Sequence, residues 1–93
     1  MADLLHEIWV DAGESGVEME GCCLAGPDGD AFRRRLQPSA RLLRTFEAGS
    51  HFEAMSTYHR LLGREPYVSD LAQDHAPYPD EWRDRQSVAR LRR

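Results

Sequence analysis

The stretch from Ser50 to Gly63 carries its own start, its own apolar side and its own stop, and it constrains the rest of the chain. Ser50 with Glu53 three places on has the spacing of a capping box: the hydroxyl takes a first-turn N–H and the carboxylate reaches back towards the cap. Gly63 supplies the residue after the last turn, where a left-handed backbone is cheap only without a Cβ. At about 100° per residue, Leu61, Ala54, Tyr58, His51, Leu62 and Met55 fall on one arc, with Ser56, Arg60, Glu53 and Thr57 opposite. A helix with one apolar side requires a surface to bury it.

The segments before it supply that surface. Leu4–Val10 is rich in strand formers, including Ile8, Trp9 and Val10, and residues 11–16 form a turn-rich loop. Val17–Leu24 begins by alternating apolar and acidic residues, the period of a half-buried strand, so the two strands pair as an antiparallel hairpin with Glu18 and Glu20 towards solvent. Gly21 marks a bulge or a close backbone approach. Gly26-Pro27-Asp28-Gly29 is a turn, after which Asp30 caps a short helix over Ala31–Leu36 that Gln37-Pro38 ends. Ala40–Ala48 fits a helical turn through Leu42, Leu43 and Phe46, or a strand with Leu42, Arg44 and Phe46 on one side. A third strand is favoured, because Gly49-Ser50 opens a separately capped helix directly afterwards.

Beyond Gly63 the chain carries Pro66, Pro77 and Pro79 among Tyr67 and Tyr78, with room for one helical turn near Val68–Gln73. Pro79 suits the first position of a last helix over Asp80–Leu91 whose early acids match the helix dipole. That helix docks by Trp82, with Gln86 and Ala89 on the same side, and frays beyond Val88. The expected architecture is α+β: a small antiparallel sheet of the N-terminal hairpin plus a third strand, one central amphipathic helix, a wrapped C-terminal segment and a short terminal helix. Residues 1–93 form one small domain, with 82–93 as its fraying tail.

Ninety-three residues bury one modest core, and a chain that is 41% hydrophobic and 30% charged is of the globular class. No apolar run reaches the roughly 20 residues that span a bilayer. The start of the chain lacks the basic-then-apolar layout of a secretory signal. The expectation is a cytoplasmic protein with no membrane partner.

Net charge is −4 but unevenly laid out. Eight acids and no arginine lie in residues 1–30, whereas Arg33, Arg34, Arg35, Arg41 and Arg44 lie in residues 31–46 without an acid. The five arginines are a candidate surface for phosphates. The acidic pI near 5.5 and the absence of a base-stacking array argue instead for pairing between hairpin acids and arginines.

Among residues able to do chemistry, His51 stands out on the apolar arc with Tyr58, as a candidate ligand-binding pair at the helix start. His51 and His59 sit about 80° apart and some 12 Å along the helix, too far for one metal ion. Cys22 and Cys23 are adjacent, a poor geometry for a disulfide, and no second pair completes a zinc site; one packed and one exposed thiol is expected. No nucleophile elbow, Walker loop or dinucleotide fingerprint is present. No catalytic residue, metal or cofactor is assigned. Tyr67, Tyr78 and Trp82 either strap the core or, with the arginines, form an interaction surface, and a homodimer would satisfy both. The reading is a small non-catalytic binding or adaptor protein acting through protein contacts. The alternatives are a ligand binder or enzyme with a pocket beside His51 and Tyr58, and nucleic-acid binding through Arg33–Arg44.

Overall fold

In the computed structural model, which describes residues 3–12 and 16–91 with side chains through Ala89, the strand formers of the N-terminus become the centre of a sheet. β1 (Leu4–Asp11) lies between β2 (Met19–Leu24) and β3 (Arg41–Ala48), both antiparallel to it, in the order β2-β1-β3. The α+β arrangement and the third strand are as expected, as is the hairpin; residues 13–15 of its loop lie outside the described residues.

Period two divides the side chains of β1 into two sets. Leu4, His6, Ile8 and Val10 share one face and are all buried, Ile8 completely. Leu5, Glu7, Trp9 and Asp11 share the other, where Glu7 alone is buried. α2 (His51–Leu61) covers the first face, seating Ala54 and Tyr58 in the core. Its start follows from chemistry: Ser50 Oγ accepts the Glu53 N–H at 3.1 Å, and Glu53 Oε1 accepts the N–H of Gly49 at 2.9 Å, one residue earlier than a reciprocal box would have it. Gly63 closes the helix with φ +69°.

β3 corrects the expected alternation. Ile8 faces Arg44 but Trp9 faces Leu42, so Leu43 is an extra residue in a β-bulge. The bulge puts Arg44 and Phe46 on the helix face and moves Leu42 to the opposite one. It also explains why residues 40–48 lack a clean period.

α1 is shorter than expected, Asp30–Arg33, and begins at Asp30 with no side-chain cap, because a 3-10 turn over Pro27–Gly29 runs straight into it. It lies on the second face, where the Phe32 ring packs on bare Gly21: a Cβ there would come within 2.5 Å of Phe32 Cζ. The close approach anticipated at Gly21 is therefore real. The helical turn expected near Val68–Gln73 forms later, as α3 (Ala72–His75). Along the strap, Tyr67 and His75 cover Phe52 on the side of α2 away from the sheet, and Tyr67 also touches His51 and His59 edge-on.

Pro77 bridges Ser50, and the Tyr78 N–H donates to the Gly49 carbonyl at 2.9 Å, which delivers α4 (Asp80–Leu91) to the end of the sheet. Trp82, Gln86 and Ala89 do face inward, but the buried anchor is Gln86. Its amide is inserted where β2 leaves the ladder. Oε1 accepts the Leu5 N–H at 2.8 Å while Nε2 donates to the Leu5 and Ala25 carbonyls, both at 2.9 Å. Backbone groups that β2 has ceased to pair thus stay satisfied. The protein measures 39 × 37 × 18 Å. The short dimension holds a sheet and one helical layer at about 10 Å spacing, so the second face carries only α1 and stays partly open.

Candidate functional site

Concavities lie on both faces of β1. On the helix face, a cavity of about 200 Å³ is lined by His6, Cys22, Cys23, Leu24, His51, Met55, Tyr78 and Trp82. Beside it lies a more open cleft of about 430 Å³ between His51, Gln73, Pro77, Tyr78, Pro79 and Trp82. His51, Tyr78 and Trp82 belong to both. They come from the first turn of α2, the strap and the first turn of α4, three segments that the Gly49–Tyr78 and Ser50–Pro77 contacts hold together.

The His6 tautomer is dictated by its partners. Nδ1 lies 2.9 Å from the Leu4 carbonyl, which can only accept, so Nδ1 carries the proton and Nε2 accepts the Tyr78 hydroxyl at 3.1 Å. The ring stacks on Phe46 at 5.0 Å with a 6° tilt. Burial holds the His6 pKa below its ordinary value, the Leu4 carbonyl opposing the shift. Burial likewise pushes the Tyr78 phenol up to about 12 and the Cys22 thiol up to about 12, with Cys23 and then Glu7 adding to the Cys22 shift. The lining is therefore uncharged at neutral pH at each of these three positions. A thiol held protonated is a poor nucleophile and a poor metal ligand.

Cys23 projects to the other face, also free, its pKa raised to about 11 by burial and then by Glu7. Both thiols are half-buried, so the expected split into one packed and one exposed cysteine is corrected. On this face Glu7 Oε1 gathers Arg33 Nη1 at 2.7 Å and Trp9 Nε1 at 3.0 Å, and Arg33 also reaches Asp30 at 2.8 Å and the carbonyls of Leu24 and Gly26. The Glu7–Arg33 pair is largely desolvated and hydrogen-bonded on both sides, the condition for a buried pair to be tolerated. Past it, a cleft of about 330 Å³ is lined by Trp9, Met19, Gly21, Phe32, Arg35 and Leu36, with Asp11, Ala12 and Glu20 at its edges. Apolar side chains here face water: Met19, in the lining, is 67% exposed, and Leu42, opposite Trp9 in the sheet, 48%. The apolar side of β2 thus stays bare at Met19, while Phe32 covers it at Gly21.

The residues singled out from the sequence are dispersed. His51 is exposed and lines the aromatic cavity, whereas Tyr58 is buried under Arg64, whose guanidinium lies 5.2 Å from its ring; the two do not form a shared pocket. Tyr67 is bound to the strap itself, its hydroxyl donating to Asp74 at 3.0 Å. Of the five arginines, Arg33 is turned inward and Arg41 meets Glu18 at 3.2 Å, while Arg34, Arg35 and Arg44 are exposed and in no ion pair among the described residues. Arg44 sits on the helix face of β3 and Arg35 beside the open-face cleft, so the set does not converge. Among the described residues no group of three or more His, Cys, Asp or Glu is arranged to hold a metal ion, and no helix is long and apolar enough to cross a membrane.

Sequence reasoning missed His6, Trp9 and Gln86. His6 and Trp9 were absorbed into a strand, although a histidine or tryptophan at a fixed parity of a central strand was a usable signal. Gln86 carried none. Comparison of the chain with protein-family models, with curated proteins and with solved structures gave no match.

Proposed function

We propose that the protein is a small non-catalytic binding module of the cytoplasm that acts through protein contacts, and that its contact surface is the open face of the sheet around Trp9. One observation carries this reading: a half-buried tryptophan lines a cleft with Met19, Phe32, Leu36 and Arg35, and exposed Leu42 lies opposite it in the sheet. Interface cores are enriched in tryptophan, methionine and arginine, and contiguous exposed apolar patches are rare on monomers without a partner. Arg35, which lines the cleft, and its exposed neighbour Arg34 are in no ion pair among the described residues and favour a partner with acidic residues around an apolar anchor. The β3 edge is a poorer docking element, since its bulge and its arginines are devices that discourage strand addition. Two free, half-buried thiols fit a reducing compartment.

The test compares wild type with Met19→Glu and Leu42→Glu by light scattering and by affinity capture from a cell extract. Wild type is expected to self-associate or to retain a defined protein, and each variant to lose that association while melting normally. A monomeric wild type that retains nothing beyond what the variants retain would remove the reading.

A further inference from the structure

We propose that the cavity between Tyr78, Trp82 and His51 on the helix face is a binding site for a small uncharged aromatic compound bearing an N–H or O–H donor. It lies across the sheet from the Trp9 surface and does not depend on it.

Size sets the first limit. An apolar cavity of about 150 Å³ accommodates benzene, so about 200 Å³ takes one substituted ring or a small fused pair. The adjoining 430 Å³ cleft, which shares His51, Tyr78 and Trp82, leaves room for a substituent. Shape and surface set the second. Tyr78 and Trp82 lie 5.7 Å apart at a 30° tilt, and with Met55, Leu24 and Cys22 they give a ring planar and apolar neighbours.

Polarity sets the third. The Tyr78 hydroxyl spends its proton on His6 Nε2, because the Leu4 carbonyl commits Nδ1 as the donor. The phenol oxygen can therefore serve a guest only as an acceptor, which calls for a ligand donor. Charge sets the fourth. Neutral His6, Tyr78 and Cys22 offer nothing to offset the desolvation of an ion. Glu53, close enough to raise the Tyr78 pKa, would oppose an anion further.

The chain's two tryptophans allow a direct test, because Trp82 lines this cavity and Trp9 the cleft on the other face. Unlabelled indole is titrated into the 15N-labelled protein while both tryptophan N–H resonances are followed. The Trp82 signal is expected to move saturably and the Trp9 signal to stay. Tyr78→Phe should weaken indole roughly tenfold, the worth of one hydrogen bond, yet leave the binding of 1-methylindole, which lacks the donor, unchanged. Tryptamine and indole-3-acetate should each bind roughly tenfold or more weakly than indole. Cys22→Leu, which fills the cavity, should abolish the shift. The proposal is overturned by an unmoved Trp82 signal, by equal binding of the charged analogues, or by Tyr78→Phe weakening indole and 1-methylindole alike. A folded Cys22→Leu protein that still binds would overturn it too.

Discussion

On the helix-covered face, β1 presents Leu4, His6, Ile8 and Val10, and burial holds His6 with its neighbours Tyr78 and Cys22 in their neutral forms. On the opposite face the same strand presents Glu7 and Trp9, and the element packed there brings a charge of its own, Arg33 at 2.7 Å. Two chemistries thus close two sides of one eight-residue strand. A long helix can bury one face by area alone. The four-residue α1 lacks that area, so it is fastened by an ion pair, by carbonyl acceptors for Arg33 and by a ring seated on a glycine. The fastened face is left partly bare, and the contact surface is there.

The sharpest attack on this contrast is Ile8→Ala. On a completely buried site it should cost about 2–5 kcal/mol in denaturant unfolding, and a cost under about 1 would mean that the helix face is not the core. Gln86→Leu comes next. It keeps bulk but strands the Leu5 N–H and the Ala25 carbonyl where the faces meet, while the Leu5 carbonyl keeps the Ala25 N–H, for about 2–3 kcal/mol. On the second face, Glu7→Gln should cost about 1–3 kcal/mol by leaving half-buried Arg33 with only the more exposed Asp30 carboxylate. Adding Arg33→Met should recover part of that loss, as expected for a pair and not for an apolar contact.

Acid separates the faces differently. A histidine whose folded pKa is depressed contributes stability that is fully present above its unfolded value near 6.5, and loses it as pH falls through the lower folded value. Wild type should therefore lose stability from pH 7.5 downward into the mildly acidic range, by at most about 1.4 kcal/mol per unit of depression, and His6→Gln should flatten that slope. The smallest effect belongs to the bare patch. Met19→Glu should change stability by less than about 0.5 kcal/mol, and a larger loss would make the patch part of the fold instead of a surface.

What could be read in advance was what local chemistry decides. Ser50, Glu53 and Gly63 mark α2 by capping and by positive φ, and Pro79 marks the start of α4. β3 was only half legible, because the extra residue at Leu43 breaks the alternation that a strand is recognised by. Pairings across 26 and 81 residues left no trace in the sequence. Nothing about Glu7 distinguishes it from the solvated acids of the hairpin, and Gln86, although on the docking side with Trp82, carries no sign of the backbone groups it pairs with. The Tyr78–Trp82 cavity eluded the sequence for the same reason: its walls come from segments that only tertiary contacts unite, while His51 was matched with Tyr58 by helical phase alone.

The amide of Gln86 has a consequence for how the chain matures. The beginning of the central strand acquires its last partners from a residue 81 positions later, so during synthesis the hairpin emerges long before the group that completes it. Closure over such a distance is slow compared with local turns. Until α4 arrives, the nascent sheet has an unfinished corner, and a stop codon anywhere upstream of position 86 would leave it so permanently.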